Sequence, residues 1–158
     1  MQKQYANLGS ISTGTMRNED LIPDFLDTLE TLANLNKCKK HLTLIDEIEN
    51  RIDTIPDYYD TEDADIDLNE DLFDALNEYA PPHAYFGSHP GDGSDYGFWI
   101  AEDSIRYAIS NNELLSVADL NEIPYNYHGL AIHTNDHGNM ALYKCWQFGH
   151  IKEIWAVV

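Results

Sequence analysis

Apolar residues in the first half of the chain recur at helical spacing. Three stripes predict three helices. The first is firm from about Ile22 and is ended by residues 34–37, the second spans roughly residues 41–52, and the third spans about residues 70–79. Asn18 and Asn69 are candidate N-caps for the first and third helices. The predicted buried positions are Ile22, Phe25, Leu26, Leu29, Leu32, Ala33, Leu42, Ile45, Ile48, Ile52, Leu72, Phe73, Leu76 and Tyr79.

The pattern changes after Pro82, where short apolar runs and glycine-containing turns predict strands. A glycine-rich segment over residues 87–97 suggests a loop between two short strands, and residues 111–124 fit no single pattern. The last three runs, separated by turns, predict an antiparallel meander. The predicted elements are strands 84–86 and 98–100, a helix over 102–110, and strands 127–134, 140–148 and 151–158.

These elements predict an α+β fold, with N-terminal helices packed on an antiparallel sheet of four to five strands that ends in a C-terminal β-meander. A length of 158 residues favours a single domain over residues 1–158, with a helical part at about 18–80 and a sheet part at about 83–158. Cys38 and Cys145 are far apart, without metal or redox spacing, and are expected to be reduced thiols. With no predicted signal peptide or transmembrane span, the expected location is cytoplasmic.

The distribution of charge adds a feature that the apolar pattern does not contain. The chain has 28 acidic and nine basic residues, a formal net charge of -19. Residues 52–105 hold fifteen of the acids and no Lys or Arg, and the acids are densest over residues 57–71. Direct binding to nucleic acid or to anionic membranes is disfavoured, because both depend on clustered basic side chains.

An uncompensated acidic surface suits a partner whose own surface is basic. The sequence therefore predicts a nucleic-acid mimic that covers the basic surface of a nucleic-acid-binding protein, acting without a cofactor and without catalysis. The same composition also fits a role in solubility or adaptation to salt. The sequence does not set the oligomeric state. The predicted partner-binding residues are Asp57, Tyr58, Tyr59, Asp60, Glu62, Asp63, Asp65, Asp67, Glu70, Asp71 and Asp74.

Three short motifs resemble a group of small uncharacterised proteins from bacteriophages and mobile elements. They are Asn135-Asp136-His137-Gly138-Asn139 with Leu142-Tyr143 and Glu153-Ile154-Trp155, Ser12-Thr13-Gly14-Thr15 with Asp20-Leu21-Ile22-Pro23, and Gly91-Asp92-Gly93 with Tyr96-Gly97-Phe98-Trp99. The resemblance carries over no activity. It implies a phage or mobile-element origin, where small acidic proteins block host defence nucleases in the host cytoplasm. The target implied is a nuclease or a nucleic-acid-guided complex, as for anti-restriction or anti-CRISPR proteins.

A calcium loop is one alternative use of the acidic segment. Six oxygen-bearing residues fall at positions 1, 3, 5, 7, 9 and 12 of the twelve-residue calcium pattern. Leu68 stands where that loop needs glycine, and position 12 holds Asp instead of the longer Glu. A solvated acidic face is the favoured interpretation. The six residues are Asp63, Asp65, Asp67, Asn69, Asp71 and Asp74.

A second alternative places the chemistry in the second half of the chain. A small metal-assisted or acid–base hydrolase would centre on His89, Asp92, His133 and His137, and a small-ligand sponge would use the glycine-rich loop. No nucleophile has a recognisable motif, and there is no phosphate-binding glycine loop with its lysine. Surface and turn histidines are the simpler interpretation.

Overall fold

The computed structural model describes residues 2–157, which form two compact units. Unit 1 comprises the chain up to Ala80 together with Ala84–Trp99, and unit 2 comprises Pro81–His83 and the chain from Ile100 onward. Within residues 2–157, no helix is both long enough and apolar enough to cross a bilayer.

Unit 1 contains the first three helices and a three-stranded sheet of strand order β1-β3-β2. Strand β1 pairs antiparallel with β3. Helix α3 spans residues 62–77 and has a π-helical segment, Asp67–Leu72, between the α-helical turns Glu62–Ile66 and Phe73–Asn77. The remaining elements are β1 (Gly9–Ser12), α1 (Asn18–Asn36), α2 (Lys39–Thr54), a 3-10 turn (Tyr58–Asp60), β2 (Ala84–His89) and β3 (Asp92–Ile100).

The predicted apolar stripes form the core of unit 1. Ile22, Phe25 and Ile48 are fully buried, as the helical spacing predicted. Phe25 of α1 contacts Phe86 of β2 with ring centroids 5.1 Å apart, and Phe73 of α3 contacts the same ring at 5.1 Å. Aromatic rings crossing at these distances add attraction to their buried area. The core thereby ties α1 and α3 to the sheet.

Two helix starts lie earlier than predicted. Helix α1 begins at Asn18, the residue predicted as its N-cap, and its N-cap is Arg17, one residue earlier. Helix α3 begins at Glu62 instead of about residue 70, and its N-cap is Thr61 instead of Asn69. The Thr61 hydroxyl accepts a hydrogen bond from the Ala64 amide at 3.2 Å. The dense acids hid this start, because they interrupt the apolar period on which the prediction depended.

The predicted loop over residues 87–97 was wrong, since these residues lie mainly in β2 and β3. Gly97 explains part of the error. A Cβ atom at Gly97 would meet the carbonyl oxygen of Gly9 in β1 at 2.1 Å, so only glycine permits this close pairing of strands. Strand β1 itself was missed, because its small polar residues suggested a loop.

Unit 2 contains helix α4 and a four-stranded sheet of order β4-β5-β6-β7. Strands β5, β6 and β7 pair antiparallel, which confirms the predicted meander. Strand β4 lies in the segment that had fitted no pattern, and it pairs parallel with β5. The elements are α4 (Glu102–Ser110), β4 (Leu114–Val117), a 3-10 turn (Leu120–Glu122), β5 (Gly129–Thr134), β6 (Met140–Trp146), a 3-10 turn (Gln147–Gly149) and β7 (His150–Val157).

The α+β class is confirmed, with helices first and the meander last. The strands form two sheets of three and four strands instead of the single sheet that was expected. Strand periodicity identifies a strand's buried face, but it does not identify the sheet to which that strand belongs.

A single cooperative domain remains a prediction for the two units. Urea unfolding of a Trp99→Phe variant is expected to give coincident transitions by two probes: far-UV circular dichroism, dominated by the helices of unit 1, and the fluorescence of the remaining Trp146 and Trp155 in unit 2. Two separate midpoints would show independent domains.

The midpoint of urea unfolding is also expected to rise with added salt, because screening weakens the self-repulsion of a chain with net charge -19.

Candidate functional site

Eight of the nine acids predicted to bind a partner have exposed side chains. Helix α3 turns its apolar residues inward, including Leu68 and Leu72, so its carboxylates face solvent. Within residues 2–157, none of these eight carboxylates forms a salt bridge with Lys, Arg or His. The eight acids, called here the acidic surface, are Asp57, Asp60, Glu62, Asp63, Asp65, Glu70, Asp71 and Asp74.

The first turn of α3 holds three residues of the acidic surface, Glu62, Asp63 and Asp65. Negative side chains are favourable beside the N-terminus of a helix, where the backbone amides carry partial positive charge. Asp65 also accepts a hydrogen bond from Asn18 Nδ2 at 2.7 Å, which links the start of α3 to α1. Local structure therefore offsets part of the repulsion among these acids.

Asp67 does not belong to the exposed acids, which corrects the sequence prediction. Its side chain is buried, and Asp67 as a whole is 3% exposed. Arg51 of α2 binds it with two hydrogen bonds, Nε to Oδ2 at 2.9 Å and Nη2 to Oδ1 at 2.7 Å. Tyr58 donates its hydroxyl proton to Oδ2 at 2.6 Å. The carboxylate is fully occupied inside the fold and is unavailable to a partner.

Tyr58 was expected as an exposed anchor and is buried, at 3% exposure. Burial, together with the hydrogen bond to Asp67, raises the pKa of its hydroxyl. Tyr59 is half-buried, and its ring packs edge-on against Tyr58 with centroids 5.3 Å apart. The pair is therefore mainly structural, because it connects the 3-10 turn to the core beside Asp67.

A groove lies between α2 and α3 and extends the acidic surface. Its cavity volume is about 490 Å³, and four carboxylates line it. Lys40 lines the same groove and forms a salt bridge to one of them, with its Nζ 3.1 Å from Glu78 Oε1. The lining carboxylates are Glu47, Asp71, Asp74 and Glu78, and this set is called here the acidic groove.

His41 is a groove residue that sequence analysis missed. It is 1% exposed, and burial is the main cause that lowers the pKa of its ring. Its Nδ1 atom forms a hydrogen bond with the Tyr79 hydroxyl at 2.7 Å. A signal was available, since His41 stands four and seven residues before the buried Ile45 and Ile48.

Replacing Asp71 with Asn is expected to stabilise the protein at neutral pH by about 0.5 kcal/mol, the usual size of a surface effect. Partial burial, followed by the negative charge of Asp67, raises the pKa of Asp71 above its ordinary value of 3.8. A raised pKa favours folding only at low pH, where the group is protonated, and this contribution is lost as the pH rises. The gain from Asp71→Asn should therefore vanish below about pH 3.8 in urea titrations at several pH values. A gain that persists there would point to another cause.

The histidines and aspartate of the hydrolase alternative are divided between the units. His89 and Asp92 are exposed in unit 1, at the turn between β2 and β3. Asp92 accepts hydrogen bonds from the Ser94 amide and hydroxyl at 3.0 and 2.9 Å, an ordinary closure for a turn. In unit 2, His133 donates Nε2–H to the Ala118 carbonyl at 3.0 Å, and His137 lies exposed in the turn before β6.

The six residues of the calcium pattern lie in a helix instead of a loop. Asp63 and Asp65 belong to the first turn of α3, and Asp67 is bound to Arg51. A calcium loop needs a sharp central turn so that its oxygens converge. Across residues 2–157, no three His, Cys, Asp or Glu side chains are arranged to hold a metal ion together.

Unit 2 exposes an aromatic pair, Tyr125 and Phe148. Tyr125 is 68% exposed and Phe148 is 66% exposed, with ring centroids 6.1 Å apart. Phe148 has a φ of 68°, in the left-handed region that bulky residues seldom adopt. The backbone of the turn Gln147–Gly149 is therefore strained at Phe148, and the turn places the large Phe148 ring in solvent.

Searches of protein-family models, curated proteins and solved structures find no match to this chain. The resemblance to phage and mobile-element proteins thus remains a prediction from the three motifs.

Proposed function

We propose that this protein is a non-catalytic inhibitor that mimics nucleic acid and covers the basic surface of a nucleic-acid-binding protein. The acidic surface carries the proposal, because its eight exposed carboxylates have no salt-bridge partner within residues 2–157. Such a surface repels itself, and a basic partner relieves that repulsion. In the context that the motif resemblance implies, the partner is a host defence nuclease or a nucleic-acid-guided complex.

The charge is concentrated on unit 1, which favours a directed role over general solubility. Unit 1 holds 21 of the 28 acidic residues and six of the nine Lys and Arg residues, a formal net charge of -15, against -4 for unit 2. Two of those six bases, Lys40 and Arg51, already pair with acids of α3 and its C-terminal end. A field of one sign on one compact unit is suited to steer a basic partner toward that unit.

Carboxylates on a rigid helix can replace phosphates in a binding groove. Arg binds carboxylate and phosphate with the same two-pronged hydrogen bonds. Asp67 demonstrates this geometry inside the fold, where Arg51 binds both of its oxygens. We expect the exposed carboxylates of α3, among them Asp63, Glu70 and Asp74, to accept arginines of the partner in the same way.

A small hydrolase or a ligand sponge is the alternative of a different class. Two of the residues on which it would depend, Asp92 and His133, are engaged in local hydrogen bonds. We therefore favour binding over catalysis for this chain.

The test is capture of a partner on the immobilised protein from a bacterial host lysate, with elution by salt and by duplex DNA. We expect a basic nucleic-acid-binding protein to be retained at about 50 mM salt and released at about 500 mM, because screening weakens exposed charge pairs. Duplex DNA or RNA should displace the same protein at low salt. A captured protein that nucleic acid does not displace would refute the mimic.

A further inference from the structure

The segment that runs from before β5 into β7 has a charge balance unlike that of the rest of the chain. Residues 123–152 hold four of the seven histidines, two lysines and a single acid, Asp136, in a chain of net charge -19. Asp136 lies in the turn before β6, at the opposite end of that strand from Trp146. The Trp146 end of β6 is therefore suited to a negative ligand, which most of this protein would repel.

Two lysines face each other at this end of the sheet. Lys144 of β6 is in register with Lys152 of β7, so both exposed side chains lie on the same face, whereas Glu153 points to the other face. Like charges directly opposite one another destabilise a strand pair. Within residues 2–157, neither lysine forms a salt bridge with an acid. An anion such as phosphate would relieve this repulsion, because lysine binds phosphate as a point charge.

An open cavity of about 640 Å³ lies beside the lysines. The Nζ atom of Lys144 is 5.3 Å from the centroid of the Trp146 ring, which places its charge beside the cavity wall. The strained backbone of Phe148 holds a second, largely exposed ring at the cavity, and Tyr125 packs against that ring. The lining residues are His128, Trp146, Gln147 and Phe148. Flat aromatic surfaces beside positive charge fit a ligand that combines a flat ring with a negative group.

The indole N–H of Trp146 adds a hydrogen-bond donor to this cavity. Trp99 donates its indole N–H to the Gly87 carbonyl at 3.0 Å, and Trp155 donates to the Pro82 carbonyl at 2.9 Å. Within residues 2–157, the indole N–H of the half-buried Trp146 has no such acceptor. A donor that is not used inside the fold is available to a ligand.

We propose that this end of the unit 2 sheet binds a nucleotide, whose base stacks on Trp146 and Phe148 and whose phosphate lies against Lys144 and Lys152. Every nucleic-acid base has a π-face that stacks on aromatic side chains. The ligand is a free nucleotide instead of a strand, because a strand brings one phosphate per residue to a protein of net charge -19. The site lies in unit 2 and does not depend on the proposed mimicry.

Two simpler ligands each use only part of this arrangement. A neutral sugar also packs on aromatic rings, but it leaves the charges of Lys144 and Lys152 uncompensated. A small inorganic or sugar phosphate compensates the lysines, but it leaves the rings of Trp146 and Phe148 in solvent. A nucleotide engages both sets of side chains, so its affinity should exceed that of either part alone.

The test is titration with AMP, followed by calorimetry and by the NMR signals of the indole N–H groups. We expect saturable binding and a shift of the Trp146 signal, while Trp99 and Trp155, already hydrogen-bonded, serve as internal references. Adenosine and ribose 5-phosphate should each bind at least about tenfold more weakly than AMP. Equal binding of either one, or an unmoved Trp146 signal, would overturn the proposal. A single strand of about ten deoxyadenosines that binds tenfold more tightly than AMP would overturn the assignment to a free nucleotide.

Two kinds of variant separate binding from folding. Glycine adopts the φ of 68° at Phe148 without strain, so Phe148→Gly should keep or raise the thermal midpoint and weaken AMP binding by about tenfold. Lys144→Gln with Lys152→Gln should cause a similar loss. The control, Lys37→Gln with Lys39→Gln, removes two exposed lysines of unit 1 and should change the affinity by less than about twofold. Equal losses in the two lysine variants, an unchanged affinity of Phe148→Gly or the absence of AMP binding would each overturn the proposal.

Discussion

Asp67→Asn is expected to lower the free energy of unfolding by about 3 kcal/mol, a large fraction of the stability of a domain of this size. The substitution keeps the size of the side chain and removes one negative charge. Arg51 then loses its carboxylate partner, and Tyr58 loses its ionised acceptor. Breaking one member of a buried ion pair is costly, because the remaining charge is left without compensation.

The matched control is Asp63→Asn, the same chemical change on the exposed side of α3. Its effect should stay within about 0.5 kcal/mol, as for most surface substitutions. Urea unfolding of both variants measures the difference. A double-mutant cycle of Asp67→Asn with Tyr58→Phe should give a coupling energy of about 1 kcal/mol or more, since the two groups share a hydrogen bond. Equal stabilities of the two Asn variants would contradict a structural role for Asp67.

The second large effect is expected from removing four charges of the acidic surface on α3. Association with the captured basic partner should weaken by about tenfold or more at 50 mM salt, mainly through a slower association rate. The fold should persist, because none of the four side chains takes part in a hydrogen bond or salt bridge within the described residues. The variant combines Asp63→Asn, Glu70→Gln, Asp71→Asn and Asp74→Asn.

The chain offers a control with the same net charge. It removes four exposed acids from the other two helices of unit 1, through Asp24→Asn, Asp27→Asn, Glu30→Gln and Glu49→Gln. Surface plasmon resonance of both variants at several salt concentrations separates a localised surface from a diffuse field. The α3 variant should lose more affinity than the control, and the difference should shrink as salt rises. Equal losses would mean that net charge alone governs binding, and unchanged binding of the α3 variant would refute the acidic surface as the interface.

The burial of Asp67 determines how that experiment is designed. Counting acids along the sequence groups Asp67 with Asp63, Asp65 and Asp71, and a variant that included it would confuse lost folding with lost binding. Leaving Asp67 intact keeps the Arg51 pair and isolates the exposed charge. The structure thereby separates an acid that stabilises the fold from the acids available to a partner.

The sequence by itself determined the α+β class, the helical stripes and the antiparallel meander. Each of these depends on local periodicity, such as the spacing of Ile22, Phe25 and Leu29 along one helix face, which the chain carries without reference to distant residues. The sequence also determined the net charge and its concentration over residues 52–105. The exposure of eight of the nine predicted acids followed from the same logic, because the apolar residues between them occupy the buried face of α3.

Only the tertiary structure decided which acid is internal and what the glycine-rich segment forms. Asp67 is buried because Arg51 of another helix and Tyr58 of the preceding turn satisfy its oxygens, a pairing across nine to sixteen residues that no local pattern contains. Gly97 of β3 permits the close contact of that strand with β1, which is distant in sequence. The acidic groove and the position of His41 likewise depend on how α2 packs beside α3. Local spacing specifies faces, whereas the partners that meet across those faces are set by long-range packing.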